Sequence, residues 1–125
     1  MQQNYRVLLI EDDMGTARAI QRSLALRGVA VDHLATVAAA DWVQRTYPIG
    51  VFDIDLPDGD GVDLAERLLS QKVVRRAVFH TGCGDTVRLE RASRLGVVCS
   101  KAASNGLLHA LSATEAAELE RSDVA

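Results

Sequence analysis

The sequence predicts an α/β protein, a doubly wound five-stranded parallel sheet with helices on both faces. Two observations point there. Five short apolar runs alternate with segments of helical period, and the whole chain has only 125 residues, which fits strand-then-helix units in one layered core. Right-handed crossovers then bring the carboxyl ends of the strands to one edge, where ligands of such sheets bind.

Each element has its own signal. RVLLI (6–10) is a continuous apolar run ending in acids, as in a strand buried on both faces. In GTARAIQRSLALRG (15–28), Ala17, Ile20, Leu24 and Ala25 share one helical face, Arg18 and Arg22 lie on another, and Gly28 stops the helix. VAVDHLA (29–35) reads as a second, weaker strand. Thr36 N-caps a second helix through Val43 to about Thr46, and Pro48 prevents its continuation. Trp42 and Tyr47 are assigned to the packing of that helix. IGVFD (49–53) is the third strand, and GVDLAERLLSQK (61–72) a third helix burying Leu64, Ala65, Leu68 and Leu69. RAVFHT (76–81) is the fourth strand, and Asp85 caps a fourth helix through Leu95. GVVCS (96–100) is a short fifth strand, and Ser104 caps a last helix through about Leu119. The reading is one domain over 1–125, with a core of about 5–119 and a tail or the start of a linker at 120–125.

Composition narrows the class without naming a function. Hydrophobic residues make up 48% and charged residues 25%, an ordinary globular balance. A formal net charge of −3 gives no general pull toward nucleic acid or anionic membrane. No apolar run approaches the roughly 18–20 residues of a membrane span, and MQQNYRVLLIEDD runs into acids too early for a signal peptide. Cys83 and Cys99 lack metal-ligand spacing and read as reduced thiols of a cytoplasmic protein.

The chemistry lies at the strand ends. Strand one ends in Glu11, Asp12 and Asp13, strand three in Asp53, strand four in Thr81, and strand five in Ser100 and Lys101. Two carboxylates about 4 Å apart repel by roughly 4 kcal/mol at an effective dielectric near 20. A hard divalent cation relieves this, with Lys101 as a fixed positive partner. Mg²⁺ suits one or two carboxylates plus water and a phosphate oxygen, while Thr81 and Lys101 are donors suited to a phosphoryl group. The constellation reads as a site that holds a metal and a phosphoryl group together.

LLIEDD, DIDLPDGDG, HTG and SK, in that order at four strand ends, make the chain resemble the receiver domain of two-component response regulators over residues 5 to about 119. Asp53, Pro57 and Gly61 keep the spacings of that family, a proline four residues and a glycine eight residues after the acceptor aspartate. The resemblance implies a flavodoxin-like (βα)5 fold. It implies that Asp53 accepts a phosphoryl group from the phosphohistidine of a sensor histidine kinase or phosphotransfer protein. Asp12 then resembles the acid that binds Mg²⁺ directly, Glu11 the one acting mainly through water, and Asp55 the position that offers a backbone carbonyl to the metal. Thr81 and Lys101 match the hydroxyl and ammonium that bind the phosphoryl oxygens. Such a domain catalyses its own phosphorylation without being a turnover enzyme. It signals to a downstream effector protein or an output domain, and a homodimer through helix four, strand five and helix five is a further possibility of the family.

The sequence also departs from the family pattern. Ala102 stands where proline usually follows the lysine, so the bond is either trans or a strained cis. Val98 replaces the usual aromatic residue three before the lysine. The segment from Gly96 to Lys101 is about two residues short, which predicts a tighter entry into strand five. Gly82, where alanine is common, keeps the site open to a phosphodonor. Asp58 and Asp60 are assigned to local hydrogen bonding in the turn before helix three. Arg88, Arg91, Arg94, Glu115 and Glu118 read as a solvated face, and His80 as a packed strand-end histidine with a phosphohistidine relay as its alternative.

Three other functions fit parts of the sequence. FDID resembles the Asp-x-Asp of haloacid-dehalogenase-like phosphatases, with Asp53 as nucleophile and Asp55 as acid/base, although Leu-Pro follows and the other acids lie upstream. A receiver fold could also dock a partner without being phosphorylated. A calcium loop in DIDLPDGD is disfavoured by Pro57 and by the missing closing glutamate.

Overall fold

The computed structural model describes residues 5–102 and 105–124. β1 (Arg6–Ile10), β2 (Ala30–Leu34), β3 (Tyr47–Phe52), β6 (Val74–Thr81) and β7 (Gly96–Ser100) form a five-stranded sheet in the order β2-β1-β3-β6-β7, with every neighbouring pair parallel. β4 (Asp55–Leu56) and β5 (Gly59–Asp60) form a small antiparallel hairpin outside it. The helices are α1 (Met14–Ala25), α2 (Gly61–Ser70), α3 (Thr86–Leu95) and α4 (Gly106–Val124).

Alternation along the strands divides the interior in two. Leu8, Ile10, Phe52 and Phe79 face α2 and α3, where they meet Leu64, Leu68 and Ala92. Val7, Leu9, Val51 and Val78 face α1 and α4, where they meet Ala17, Ile20, Leu24 and Leu111. Both faces are therefore covered, which is why β1 from Val7 on and β3 carry no charged residue. Burying each large side chain contributes roughly 1.5–3 kcal/mol, and the tilted Phe52–Phe79 ring pair, 5.9 Å between centroids, locks the first layer.

Helix ends follow their caps. Asp13, Asp60 and Asp85 accept main-chain N–H bonds at the starts of α1, α2 and α3. Gly28 takes φ 77° after α1, the left-handed conformation that glycine adopts without strain. α3 passes into β7 with no intervening loop, as the shortened segment predicts. Gly96 makes this junction possible: a Cβ there would lie 1.9 Å from the Ala77 carbonyl oxygen. Ser104, the expected cap of the last helix, lies outside the described residues, and α4 runs on to Val124.

The expected second helix is corrected to a five-residue 3-10 turn, Ala38–Trp42. The Thr36 hydroxyl does accept the Ala39 N–H at 3.1 Å, but Val43 is already extended and β3 begins at Tyr47. Burial of Tyr47 wins over the helix propensity of three alanines. Its ring is 4% exposed and its hydroxyl donates to Asp32 Oδ2 at 2.7 Å. Trp42, assigned above to helix packing, is instead 82% exposed at the end of the turn. Pro48 sits in β3 one residue before pairing with β1 begins at Ile49, so its missing N–H breaks no bond to β1. Ala25, expected on the buried face of α1, is exposed.

Both tyrosines donate to carboxylates, Tyr5 to Glu115 at 2.6 Å and Tyr47 to Asp32. Burial, reinforced by Asp32, pushes the Tyr47 phenol up to about 12, and burial with Glu115 raises Tyr5 as well. The folded chain thus keeps protons that the unfolded chain loses near pH ~10, and stability falls as pH climbs from there through about 12. An ultraviolet absorbance titration of the folded protein is expected to show little tyrosinate at pH ~10, and Tyr47→Phe to flatten part of the alkaline loss of stability.

Candidate functional site

Three main-chain bonds extend the sheet one residue past its strands. Glu11 N–H donates to the Leu34 carbonyl at 3.0 Å, Asp53 N–H to Ile10 at 2.9 Å, and Lys101 N–H to Thr81 at 3.0 Å. Glu11 and Asp53 are thereby fixed side by side at the carboxyl edge, with Lys101 fixed two strands away beyond β6. Asp12 follows Glu11 and is exposed, whereas Glu11 is 1% and Asp53 6% exposed.

The Lys101 ammonium bridges the two buried acids. Nζ lies 2.8 Å from Asp53 Oδ2 and 2.9 Å from Glu11 Oε1. The Asp13 N–H donates to Glu11 Oε2 at 3.1 Å. Burial pushes the Glu11 carboxyl above the usual carboxylate range, while Lys101 and the Asp13 amide pull the other way. Burial lowers the Lys101 pKa, but its bonds to Asp53 and Glu11 outweigh this and leave it above the ordinary value. No peptide bond in the described chain is cis, so Lys101 joins Ala102 through a trans bond and still reaches both acids.

Glu11, Asp12 and Asp53 each offer a carboxylate oxygen, and these oxygens lie within 4.8 Å of one another. An all-oxygen donor set of this charge fits a hard dication such as Mg²⁺ and not a soft metal. Thr81 is buried at the end of β6. Its Oγ1 accepts the Cys83 N–H at 3.0 Å, which leaves the hydroxyl proton for another acceptor. A Cβ added at Gly82 would meet nothing within 4 Å, so the space beside Thr81 is open whether glycine or alanine stands there. His80 is half-buried with Nδ1 unpaired, and burial, with Lys101 nearby, holds the imidazole below its usual pKa.

The acids after Asp53 divide the work. Asp60 caps α2 locally, Oδ1 accepting from Val62 N–H at 2.6 Å. Asp58 acts mainly beyond its own turn, although its own amide is also a partner. Its two oxygens accept the Val37 and Ala38 N–H groups at 2.8 and 3.0 Å, holding the 3-10 turn from 20 residues away. The side chain of Asp55 points to Arg88 at 2.7 Å, leaving its main-chain carbonyl as the group it could offer a metal. Sequence reasoning missed Arg88. On the charged face, read as solvated, Arg91 pairs with Asp63 and Glu66 and Arg94 with Glu90 as exposed ion pairs, while Glu118 is buried against Arg75 and Arg76.

Gly61 sets the floor of the site. A Cβ there would stand 1.7 Å from the Asp53 carbonyl oxygen, so α2 can start against Asp53 only with glycine. Gly61→Ala is expected to lower unfolding free energy by about 3 kcal/mol in denaturant titration, at the upper end of overpacking costs.

No family model matches the chain. It is 30% identical over 94 residues to the acid tolerance regulatory protein ActR of Rhizobium meliloti (strain 1021), a match covering 74% of this chain and 48% of the relative. The chain spans about half the length of the first curated relatives it matches. Among solved structures, the non-phosphorylated HemR receiver domain of Leptospira biflexa superposes with TM-score 0.80 at 27% identity, covering 89% of this chain and 94% of that one. The signal receiver domain of an HD domain-containing protein from Pseudomonas fluorescens Pf-5 gives TM-score 0.84 at 20% identity, covering 98% and 95%, and shares the fold. The chain shares the fold of response regulator receiver domains and is similar in sequence to the regulatory proteins ActR and RegA.

Proposed function

We propose that the chain is a phosphorylation-dependent switch of a two-component system, with Asp53 as the phospho-acceptor. The observation that supports this best is the bridge itself: an ammonium 2.8 Å from Asp53 and 2.9 Å from Glu11, beside three converging acids. In this reading an Asp53 carboxylate oxygen attacks the phosphorus of a kinase or phosphotransfer phosphohistidine. The P–N bond breaks, the imidazole leaves with the electron pair, and an aspartyl phosphate forms. Lys101 follows the charge from the carboxylate to the transferred oxygens, and the free Thr81 proton is donated to another of them. Glu11, Asp12, Asp53 and the Asp55 main-chain carbonyl would hold Mg²⁺, which when bound neutralises charge on the phosphoryl oxygens. The phosphorylated domain then changes its binding to an effector protein or an attached output domain, in the cytoplasm where the kinase acts.

The dehalogenase-like alternative needs Asp55 as a free acid/base, but its carboxylate is paired with Arg88. The calcium-loop alternative needs Asp58 and Asp60 as ligands, but both are occupied by main-chain N–H groups.

Acetyl phosphate with Mg²⁺ is expected to add one phosphoryl group per chain by intact mass, and Asp53→Asn to abolish the addition. An unmodified wild type would move the assignment to a docking module that signals without phosphorylation. Lys101→Ala leaves Glu11 and Asp53 facing each other without a cation. In metal-free buffer it is expected to lose about 2 kcal/mol of stability, between the values for exposed and buried pairs, and to regain more on adding Mg²⁺ than the wild type does.

A further inference from the structure

The hairpin after Asp53 sets Asp55 directly opposite Asp60. Like charges facing each other across two strands are destabilising, so this short hairpin needs a cation. Arg88, in the first turn of α3, supplies it. Its Nη1 is 2.7 Å from Asp55 Oδ1, its Nε 3.1 Å from Asp60 Oδ2, and its Nη2 donates to the Ile54 carbonyl at 2.9 Å. One planar fork thus spans both strands of the hairpin and the main chain just before them, a geometry a lysine cannot reproduce. The Ile54 carbonyl also accepts from Gly61 N–H at 2.8 Å, and Asp60 caps α2 with its other oxygen. Arg88 therefore holds the Ile54–Asp55 peptide at its own carbonyl oxygen and at the carboxylate of the residue that follows it.

We infer that Arg88 is a positioning residue for cation binding: by clamping the Ile54–Asp55 peptide it holds the Asp55 carbonyl toward the Glu11–Asp12–Asp53 acids. This rests on the metal reading given above. Two effects of losing Arg88 oppose each other. Removing a positive charge draws a cation in, while freeing the peptide weakens its grip on one. Arg88→Lys separates them, because it keeps the charge and loses the fork.

The test measures Mn²⁺ binding to the full chain from the electron paramagnetic resonance of the free ion. Circular dichroism confirms the fold of each variant. In Arg88→Lys the Kd is expected to rise about tenfold, the low end of losing an outer partner at a metal site. Arg88→Gln is expected to show a smaller rise, and both variants faster amide hydrogen exchange at residues 54–56 than the wild type. An unchanged Kd in Arg88→Lys, or tighter binding in both variants, overturns the inference while leaving the site intact. A wild type that leaves all Mn²⁺ free overturns the metal reading and this inference with it.

Discussion

The edge of this sheet depends on one ammonium. Glu11 and Asp53 are buried side by side, and without a cation their repulsion would oppose the pairing of β1 with β3 that places them there. Lys101 reaches both, and it does so from the far side of the sheet, one residue beyond β7. The site therefore assembles only when all of β1, β3, β6 and β7 are in register, since Lys101 N–H is tied to Thr81 and Asp53 N–H to Ile10. A buried ion pair adds little net stability compared with apolar packing. What it provides here is a charge that can be handed to a different anion at the same place.

The backbone around the bridge is built for close approach. Gly61 lets α2 start against the Asp53 carbonyl, and Gly96 lets β7 start against Ala77 without a loop. The two glycines act at opposite ends of the strands: Gly61 at the carboxyl edge beside Asp53, Gly96 at the amino end of β7, the strand that brings Lys101. The departure from the family pattern at Ala102 leaves this geometry in place, because the trans bond after Lys101 still delivers its ammonium to both acids.

Much of this was legible in the sequence because it rests on local signals. Apolar runs gave the five strands, Asp85 announced its helix, and strand-end acids with Lys101 pointed to the candidate site. The failures share a cause, which is tertiary contact overruling local preference. The alanines at 38–40 favour helix, yet burial of Tyr47 and its bond to Asp32 end the segment as a 3-10 turn. Asp58 looked like a turn residue, and its partners proved to be amides of that distant 3-10 turn. Arg88 looked like one of three arginines on a wet helix face, and only the fold shows it between two opposed aspartates.

That last misreading bears on how such a site reaches the surface. Val98 is a small, partly buried residue packed in the α2–α3 core, so no large ring stands at that position to swing with Thr81. The connection drawn in this chain is instead between the loop after Asp53 and the first turn of α3, through the guanidinium of Arg88. Asp55 and Asp60 hold that guanidinium, and Asp60 also starts α2, so a displacement of the loop is felt by α2 and α3 together. Arg91 adds a second tie between the same two helices through Asp63 and Glu66. With these pairs α2 and α3 are tied to each other and to the loop that follows Asp53, by charges on their side chains rather than by a ring at position 98.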